Sequence, residues 1–127
     1  MAKVTRWTGA VSSVCTLTGN WDNGVPAATG DTIIVPADAT VAMAGGDLSA
    51  VDAASFTVEV GCAINIGSSA APLQIQATTV TIAGTGTVYI TPNCTTMNVM
   101  ASGSTYCSST STHPTINHHA GSTQTQA

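Results

Sequence analysis

Two stretches decide the fold class: Phe56-Thr57-Val58-Glu59-Val60 and Thr79-Val80-Thr81-Ile82, whose apolar positions repeat at an offset of 24 residues. In both, apolar side chains alternate with polar ones, which is the period of strands with one buried face. Six apolar pairs align at this offset: Phe56 with Val80, Val58 with Ile82, Ile64 with Val88, Ile66 with Ile90, Leu73 with Met97 and Ile75 with Val99. A weaker earlier copy begins at residues 32–35 and continues through 40–43.

The repeat predicts an all-β protein built as a short parallel β-helix. Each copy contains three strands, predicted at residues 56–60, 63–66 and 73–76, then at 80–83, 87–91 and 97–100. Three strands per coil, stacked coil on coil, are typical of this architecture, and the chain has room for about three coils. Short strands between Gly and Pro turns also suit an antiparallel β-sandwich or barrel, which remains the alternative.

The composition supports strands and excludes two classes of partner. Only two of the 127 residues are Lys or Arg and six are Asp or Glu, while 43% are hydrophobic. Lys3 and Arg6 cannot neutralise a row of phosphates, which excludes nucleic-acid binding through a basic face and a polybasic membrane anchor. No apolar run reaches membrane-spanning length or follows the basic start as a secretory signal would, so we expect folding in a cytoplasm.

Three regions are predicted along the chain. Residues 1–30 form an N-terminal capping and turn segment that contains both tryptophans. Residues 31–107 form the β-domain with its repeat of about 24 residues. Residues 108–127 consist mainly of Ser, Thr, His, Gln and Gly and are expected to form a polar C-terminal arm.

The N-terminal segment carries the most specific motif of the chain. It reads Arg6-Trp7-Thr8-Gly9, then Gly19-Asn20-Trp21-Asp22-Asn23-Gly24-Val25-Pro26, then Gly30-Asp31-Thr32-Ile33-Ile34-Val35-Pro36. This succession of W-x-G, N-W-x-x-G-x-P and G-D resembles the opening of many β-helical adhesins and, above all, bacteriophage structural proteins. The resemblance covers about the first 36 residues. It implies a segment that leads into the first strand of a solenoid.

Five residues of this motif are predicted to form a structural cap. Trp7 and Trp21 are large enough to lie across the open end of the first coil. Gly24 permits a positive φ at a turn, and Pro26 fixes another turn. Asp31 can accept hydrogen bonds from backbone donors just before the strand starts.

The resemblance implies a non-enzymatic virion structural protein. A short chain with a neutral, Thr-rich surface is similar to a capsid decoration or cement protein, located on the capsid surface of a phage. The implied partner is the major capsid protein, and a homotrimer is expected because a short β-helix exposes apolar edges. The alternative is a tail-associated or surface adhesin that binds host polysaccharide, but beyond the two tryptophans only Phe56, Tyr89 and Tyr106 could stack on sugars.

No catalytic residues and no cofactor are predicted. A glycosidase needs two carboxylates across the scissile bond. Only Glu59 lies inside a predicted strand, while Asp47 and Asp52 are better explained by turns and solubility. The chain has no G-x-S-x-G elbow, and its histidines all lie near the C-terminus.

No metal site is predicted. His113, His118 and His119 could bind a transition metal, but a solvent-exposed polar tail that contains histidine is the simpler explanation. Asp22, Asn23 and Asp31 could form a calcium site, but hydrogen bonds from these side chains to the backbone of turns are the simpler explanation.

The sulfur-containing side chains are expected in the core. Without C-x-x-C spacing, the cysteines suit neither a zinc knuckle nor a redox motif, and buried small hydrophobes are favoured over disulfides. Three methionines are predicted to fill core gaps. These residues are Cys15, Cys62, Cys94 and Cys107, and Met43, Met97 and Met100.

Overall fold

The computed structural model describes residues 2–100, 104–107, 115–118 and 123–126. These residues form one 3-10 turn, Thr18–Asn20, and nine strands. The strands are β1 (Val4–Arg6), β2 (Thr32–Val35), β3 (Asp47–Val58), β4 (Leu73–Ile82), β5 (Val88–Asn93), β6 (Thr96–Val99), β7 (Ser104–Cys107), β8 (Thr115–His118) and β9 (Thr123–Gln126). All pairings between these strands are parallel. The prediction of a short parallel β-helix is therefore confirmed over the antiparallel sandwich.

One face of the solenoid stacks β1, β2, the second half of β3, the second half of β4, β6 and β8. A single inward column runs through five of these strands, and each of its side chains is fully buried. Its members are Thr5, Ile33, Phe56, Val80 and Met97. Burial of each large apolar side chain contributes about 1.5–3 kcal/mol, so the columns of the coils are the main source of stability.

A second face stacks the first halves of β3 and β4 with β5, β7 and β9. Leu73, Ile90 and Cys107 form an inward column there, and all three are buried. The third side of the coil is formed by isolated bridges from Met43 to Ile66 and from Ile66 to Val88. The predicted strands at 40–43 and 63–66 are thus reduced to one bridging residue each.

The 24-residue offset holds for one step of the solenoid only. Phe56 pairs with Val80 and Val58 with Ile82, as the repeat predicts. The other four predicted pairs are wrong. Val88 pairs with Ile66, Ile90 with Leu73, Met97 with Val80 and Val99 with Ile82.

The reason for this change is that the coil becomes shorter. Between Ile66 and Leu73 the chain makes a turn, in which the N–H groups of Ser68 and Ala71 each donate to the other's carbonyl oxygen. In the next coil Val88 stacks on Ile66 and Ile90 stacks on Leu73, but Val88 and Ile90 belong to one continuous strand. The six strands stacked on one face also give more coils than the three expected.

The sheet does not end at residue 107. Within residues 108–127, β8 pairs in parallel with β6, and β9 pairs in parallel with β7. These two stretches therefore extend the β-domain and are not part of a separate arm. The rest of the predicted arm lies outside the described residues.

Candidate functional site

A buried tryptophan pair lies beside β1, the outermost strand at this end of the sheet. Trp7 and Trp21 are 1% and 4% exposed, and their backbones form an antiparallel bridge. Each indole N–H is satisfied, because Trp7 Nε1 donates to the carbonyl oxygen of Val41 and Trp21 Nε1 to that of Cys15, both at 2.8 Å. The pair thus ties two separate loops to the start of the solenoid.

Asn20 fixes the loop between the two tryptophans, a role that the sequence analysis missed. Its side chain is fully buried. Its Oδ1 accepts from the backbone N–H groups of Val11 and Ser12 at 2.9 and 2.8 Å, and its Nδ2 donates to the carbonyl oxygen of Val14 at 2.8 Å. The available signal was its place before Trp21 in the N-W-x-x-G-x-P motif.

Asp31 joins the N-terminus, the turn before β2 and the first strand pair. It is fully buried, and its carboxylate accepts from the backbone N–H groups of Lys3 at 2.9 Å and of Ala27 and Ala28 at 3.0 Å. Burial raises the pKa of this carboxyl, but the three backbone donors and the Lys3 charge outweigh burial, and the pKa is lowered. Nearby, Gly24 has a φ of 81° and Pro26 is buried.

The proposed calcium ligands do not converge. Asp22 Oδ1 accepts from the backbone N–H of Arg6 at 2.8 Å, and Asn23 Nδ2 donates to the carbonyl oxygen of Val4 at 3.1 Å. The carboxylate of Asp31 already accepts hydrogen bonds from three backbone N–H groups. The part of the chain that the structure describes contains no group of three His, Cys, Asp or Glu side chains that could hold a metal ion. His118 ends β8, while His113 and His119 lie outside the described residues.

Two of the three acidic residues considered for catalysis accept local hydrogen bonds. Glu59 follows β3 directly, and its Oε1 accepts from the backbone N–H of Ala37 at 3.1 Å. Asp47 accepts from the hydroxyl and the backbone N–H of Ser49, which lower its pKa. Asp52 is exposed on β3.

Two outward columns of small polar residues cross the first face of the solenoid, and we call them the threonine face. All members are half-buried. Among the described residues, no hydrogen bond engages the side-chain hydroxyls of Thr57, Thr79 and Thr96, whereas Asn98 Nδ2 donates to Thr81 Oγ1 at 3.5 Å. The first column is Thr32, Ser55, Thr79 and Thr96, and the second is Thr57, Thr81 and Asn98. On β2 and β1 the second column continues through Ile34 to Arg6, and these two residues are not counted in the threonine face.

A shallow groove of about 440 Å³ runs along the second column. It includes two of the most exposed large apolar side chains of the described residues, Val60 at 76% and Met100 at 45%. Glu59 also lines it. Met43 and Met97 are buried, as predicted, but the prediction for Met100 is wrong. Val99 points inward at the end of β6, and Met100 therefore points outward.

Charge is distributed unevenly along the chain. The charged residues are Lys3, Arg6, Asp22, Asp31, Asp38, Asp47, Asp52 and Glu59, and residues 60–127 contain no Lys, Arg, Asp or Glu. The first coils therefore carry the whole formal charge of −4. Strands β4 to β9 contain none of these residues.

Tyr89 and Tyr106 form a second aromatic pair that the sequence analysis did not connect. The short coil pairs β5 with β7 and places the two rings face to face, with centroids 4.7 Å apart and planes at 12°. Both residues are half-buried. Each ring covers one face of the other.

All four cysteines are buried, as expected, and their side chains are reduced thiols. Burial, together with the nearby Cys107, raises the pKa of Cys94 to about 11. Burial is also the main reason that the pKa values of Cys15 and Cys62 are raised. Neutral thiols of this kind are poor nucleophiles and metal ligands.

In comparisons with protein-family models, curated proteins and solved structures, no match to this chain was found. The described residues contain no helix with the length and apolar character needed to cross a membrane.

Proposed function

We propose that this chain is a non-enzymatic structural protein of a bacteriophage virion, a capsid decoration protein that binds the outer shell of the major capsid protein and stabilises it. The observation that carries the proposal is the absence of Lys, Arg, Asp and Glu from residues 60–127. The resemblance of the N-terminal motif to phage structural proteins supplies the virion context.

A charge-free surface suits permanent contact with neighbouring proteins. The centres of protein–protein interfaces are depleted in charged residues, because an imperfectly paired charge is costly to remove from water. Hydroxyl and amide groups can donate and accept, so they can be satisfied by many partners. A surface made of such groups favours tight packing on a shell and makes binding insensitive to salt.

In the proposed mechanism the rigid solenoid body contacts the shell. The capping segment lies at one end of the body, where the exposed charged residues keep that end solvated. Since β8 and β9 continue the sheet, the shell contact is assigned to the coils rather than to a free arm over residues 108–127. A homotrimer remains the proposed form.

The test is to mix purified protein with undecorated phage capsids. We expect stoichiometric binding and capsids that withstand higher temperature or stronger osmotic shock. Binding is expected to persist from about 0.1 M to about 1 M salt, where ion pairs between exposed charges are screened. Binding to cells or glycans with no affinity for capsids contradicts the proposal.

The Tyr89–Tyr106 stack favours one second candidate, an adhesin that binds host polysaccharide. Aromatic rings present flat apolar faces on which sugars stack, and this pair is half-buried at the surface. Because each ring already covers one face of the other, only the outer faces remain available. A glycan array with the wild type and Tyr106→Ala tests this candidate: binding that depends on Tyr106 supports it, and absence of binding contradicts it.

A further inference from the structure

We propose that copies of this chain associate side by side through the threonine face and its adjoining groove, with a second copy as the occupant of the groove. This inference names the interface of the homotrimer proposed above. It rests on that part of the proposed function but not on capsid binding, because association can be measured without a capsid.

The first argument is the regular geometry of the face. Thr57 pairs with Thr81 and Thr81 with Asn98 in parallel register, so equivalent outward side chains repeat at the spacing between strands, about 4.8 Å. Thr79 and Thr96 repeat in the same way in the first column. The face is therefore an ordered array of short side chains that a flat partner can approach closely.

The second argument is that three of its hydroxyl groups are still available. The hydroxyls of Thr57, Thr79 and Thr96 make no side-chain hydrogen bonds among the described residues. A hydroxyl both donates and accepts, so a hydroxyl in the first column of a second copy can satisfy one in the second column. Surfaces rich in one charge lack this self-complementarity.

The third argument is the apolar border of the face. Val60 and Met100 flank the groove and are more exposed than large apolar side chains usually are. They lie next to the second column, where a neighbouring copy inserting its first column would cover them. When a second copy covers Val60 and Met100, the contact that satisfies the hydroxyls also removes apolar area from water.

The fourth argument selects a second copy as the partner. Since the whole formal charge of −4 lies within residues 3–59, two copies repel each other most strongly through their first coils. The part of the threonine face that lies on β4 and β6 carries no such charge, so two copies that overlap there meet at the lowest electrostatic cost. Glu59 is the one charged residue that lines the groove, and its carboxylate already accepts from Ala37.

The experiment is sedimentation equilibrium of the wild type and two charge variants. Thr81→Glu places a negative charge at the centre of the face. Gln74→Glu, the matched control, places the same charge at an exposed position in the first half of the same strand, on the other face of the solenoid. Circular dichroism and thermal unfolding establish that all three proteins are folded.

We expect the wild type to form a trimer whose dissociation constant stays the same or falls between about 0.1 M and about 1 M salt, since salt screens the repulsion between acidic copies. Thr81→Glu is expected to raise the dissociation constant about tenfold or more, and Gln74→Glu less than about twofold. Glu59→Gln is expected to leave association unchanged or tighten it. A monomeric wild type, or equal effects of Thr81→Glu and Gln74→Glu, overturns the inference.

The same proteins separate this inference from the proposed function. Capsid binding by a monomeric wild type contradicts the interface and leaves decoration standing. An oligomer that depends on Thr81 but ignores capsids supports the interface and contradicts decoration.

Discussion

The indole rings of Trp7 and Trp21 meet edge to face, with centroids 5.3 Å apart and planes at 77°. This is a preferred arrangement of aromatic rings, because the positive edge of one ring faces the negative face of the other. Each indole N–H also donates to a backbone carbonyl oxygen in a different loop, that of Trp7 to Val41 and that of Trp21 to Cys15. The contact therefore fastens two loops to the end of the solenoid where charge is concentrated.

Replacement of Trp21 by Ala is expected to destabilise the protein strongly. The change leaves a cavity beside Trp7 and removes the hydrogen bond to Cys15, and truncation of a buried Trp costs about 3–5 kcal/mol. Urea unfolding followed by circular dichroism measures the loss. Val11→Ala is the control, because Val11 is 66% exposed and its truncation should change the free energy of unfolding by less than about 0.5 kcal/mol. A similar loss in both variants contradicts this account.

The sequence predicts the fold class well, because alternation and β-branched residues carry the information locally. Phe56 and Val80 could be paired in advance, since their coil is uninterrupted by a change in turn length. The pairing of Leu73 with Ile90 could not, because a parallel solenoid leaves each turn free to shorten without disturbing the strands. Once one turn is lost, every later residue shifts register, and β6 begins a coil of its own. The other additional coils come from β1 and β8, which lie in the segments predicted as cap and arm.

The candidate surface was harder to predict than the fold. Thr79, Thr96 and Thr57 are ordinary strand residues in the sequence, and only the true register places them in columns. Likewise, the 17-residue step from Tyr89 to Tyr106 shows no aromatic pattern until the two strands are known to pair. Asp31 was easier, because a carboxylate before a strand has local backbone donors within reach.

Protonation of Asp31 is expected to make the protein sensitive to acid. Its pKa in the folded state is lowered from the ordinary value of 3.8, so the stabilisation is fully present above that value and is lost as the pH falls toward the folded pKa. The free energy of unfolding should therefore decrease when the pH is lowered through 3.8. Urea titrations at several pH values between about 3 and 7 measure this slope.

Asp31→Asn is expected to remove part of that slope and to lower stability at neutral pH. The amide cannot accept from all three backbone donors, and an unsatisfied buried donor costs about 1–3 kcal/mol. Asp47→Asn makes the same chemical change at an exposed carboxylate whose pKa is also lowered, and its effect at neutral pH should be small. Equal losses in the two variants contradict a structural role for Asp31.

The buried thiols are expected to resist modification in the folded protein. The pKa of Cys94 is raised to about 11, so this thiol is neutral at mildly alkaline pH, and all four side chains are shielded from reagent. An aromatic disulfide reagent should react only when urea unfolds the chain, and then with all four thiols. A reductant should leave the midpoint of thermal unfolding unchanged. Rapid reaction of one or more thiols in the native state contradicts this prediction.

Gly86 is expected to set the spacing between two coils. A Cβ at this position would lie 2.0 Å from the carbonyl oxygen of Ile64 and 2.6 Å from its carbonyl carbon. Both atoms belong to the backbone of the neighbouring coil and cannot rotate away, so Gly86→Ala must push two coils apart where Ile66 and Val88 bridge. We expect a loss of about 3 kcal/mol or more, at the upper end of what overpacking costs.

Gly61→Ala separates this steric effect from backbone strain. Gly61 has a φ of 87°, but nothing lies within 4 Å of the Cβ that alanine would add. Its replacement should therefore cost only about 1–2 kcal/mol, the penalty of the left-handed conformation. Thermal unfolding of both variants makes the comparison. If Gly86→Ala is no worse than Gly61→Ala, the coils can move apart at little cost and their close stacking is not what makes the solenoid rigid.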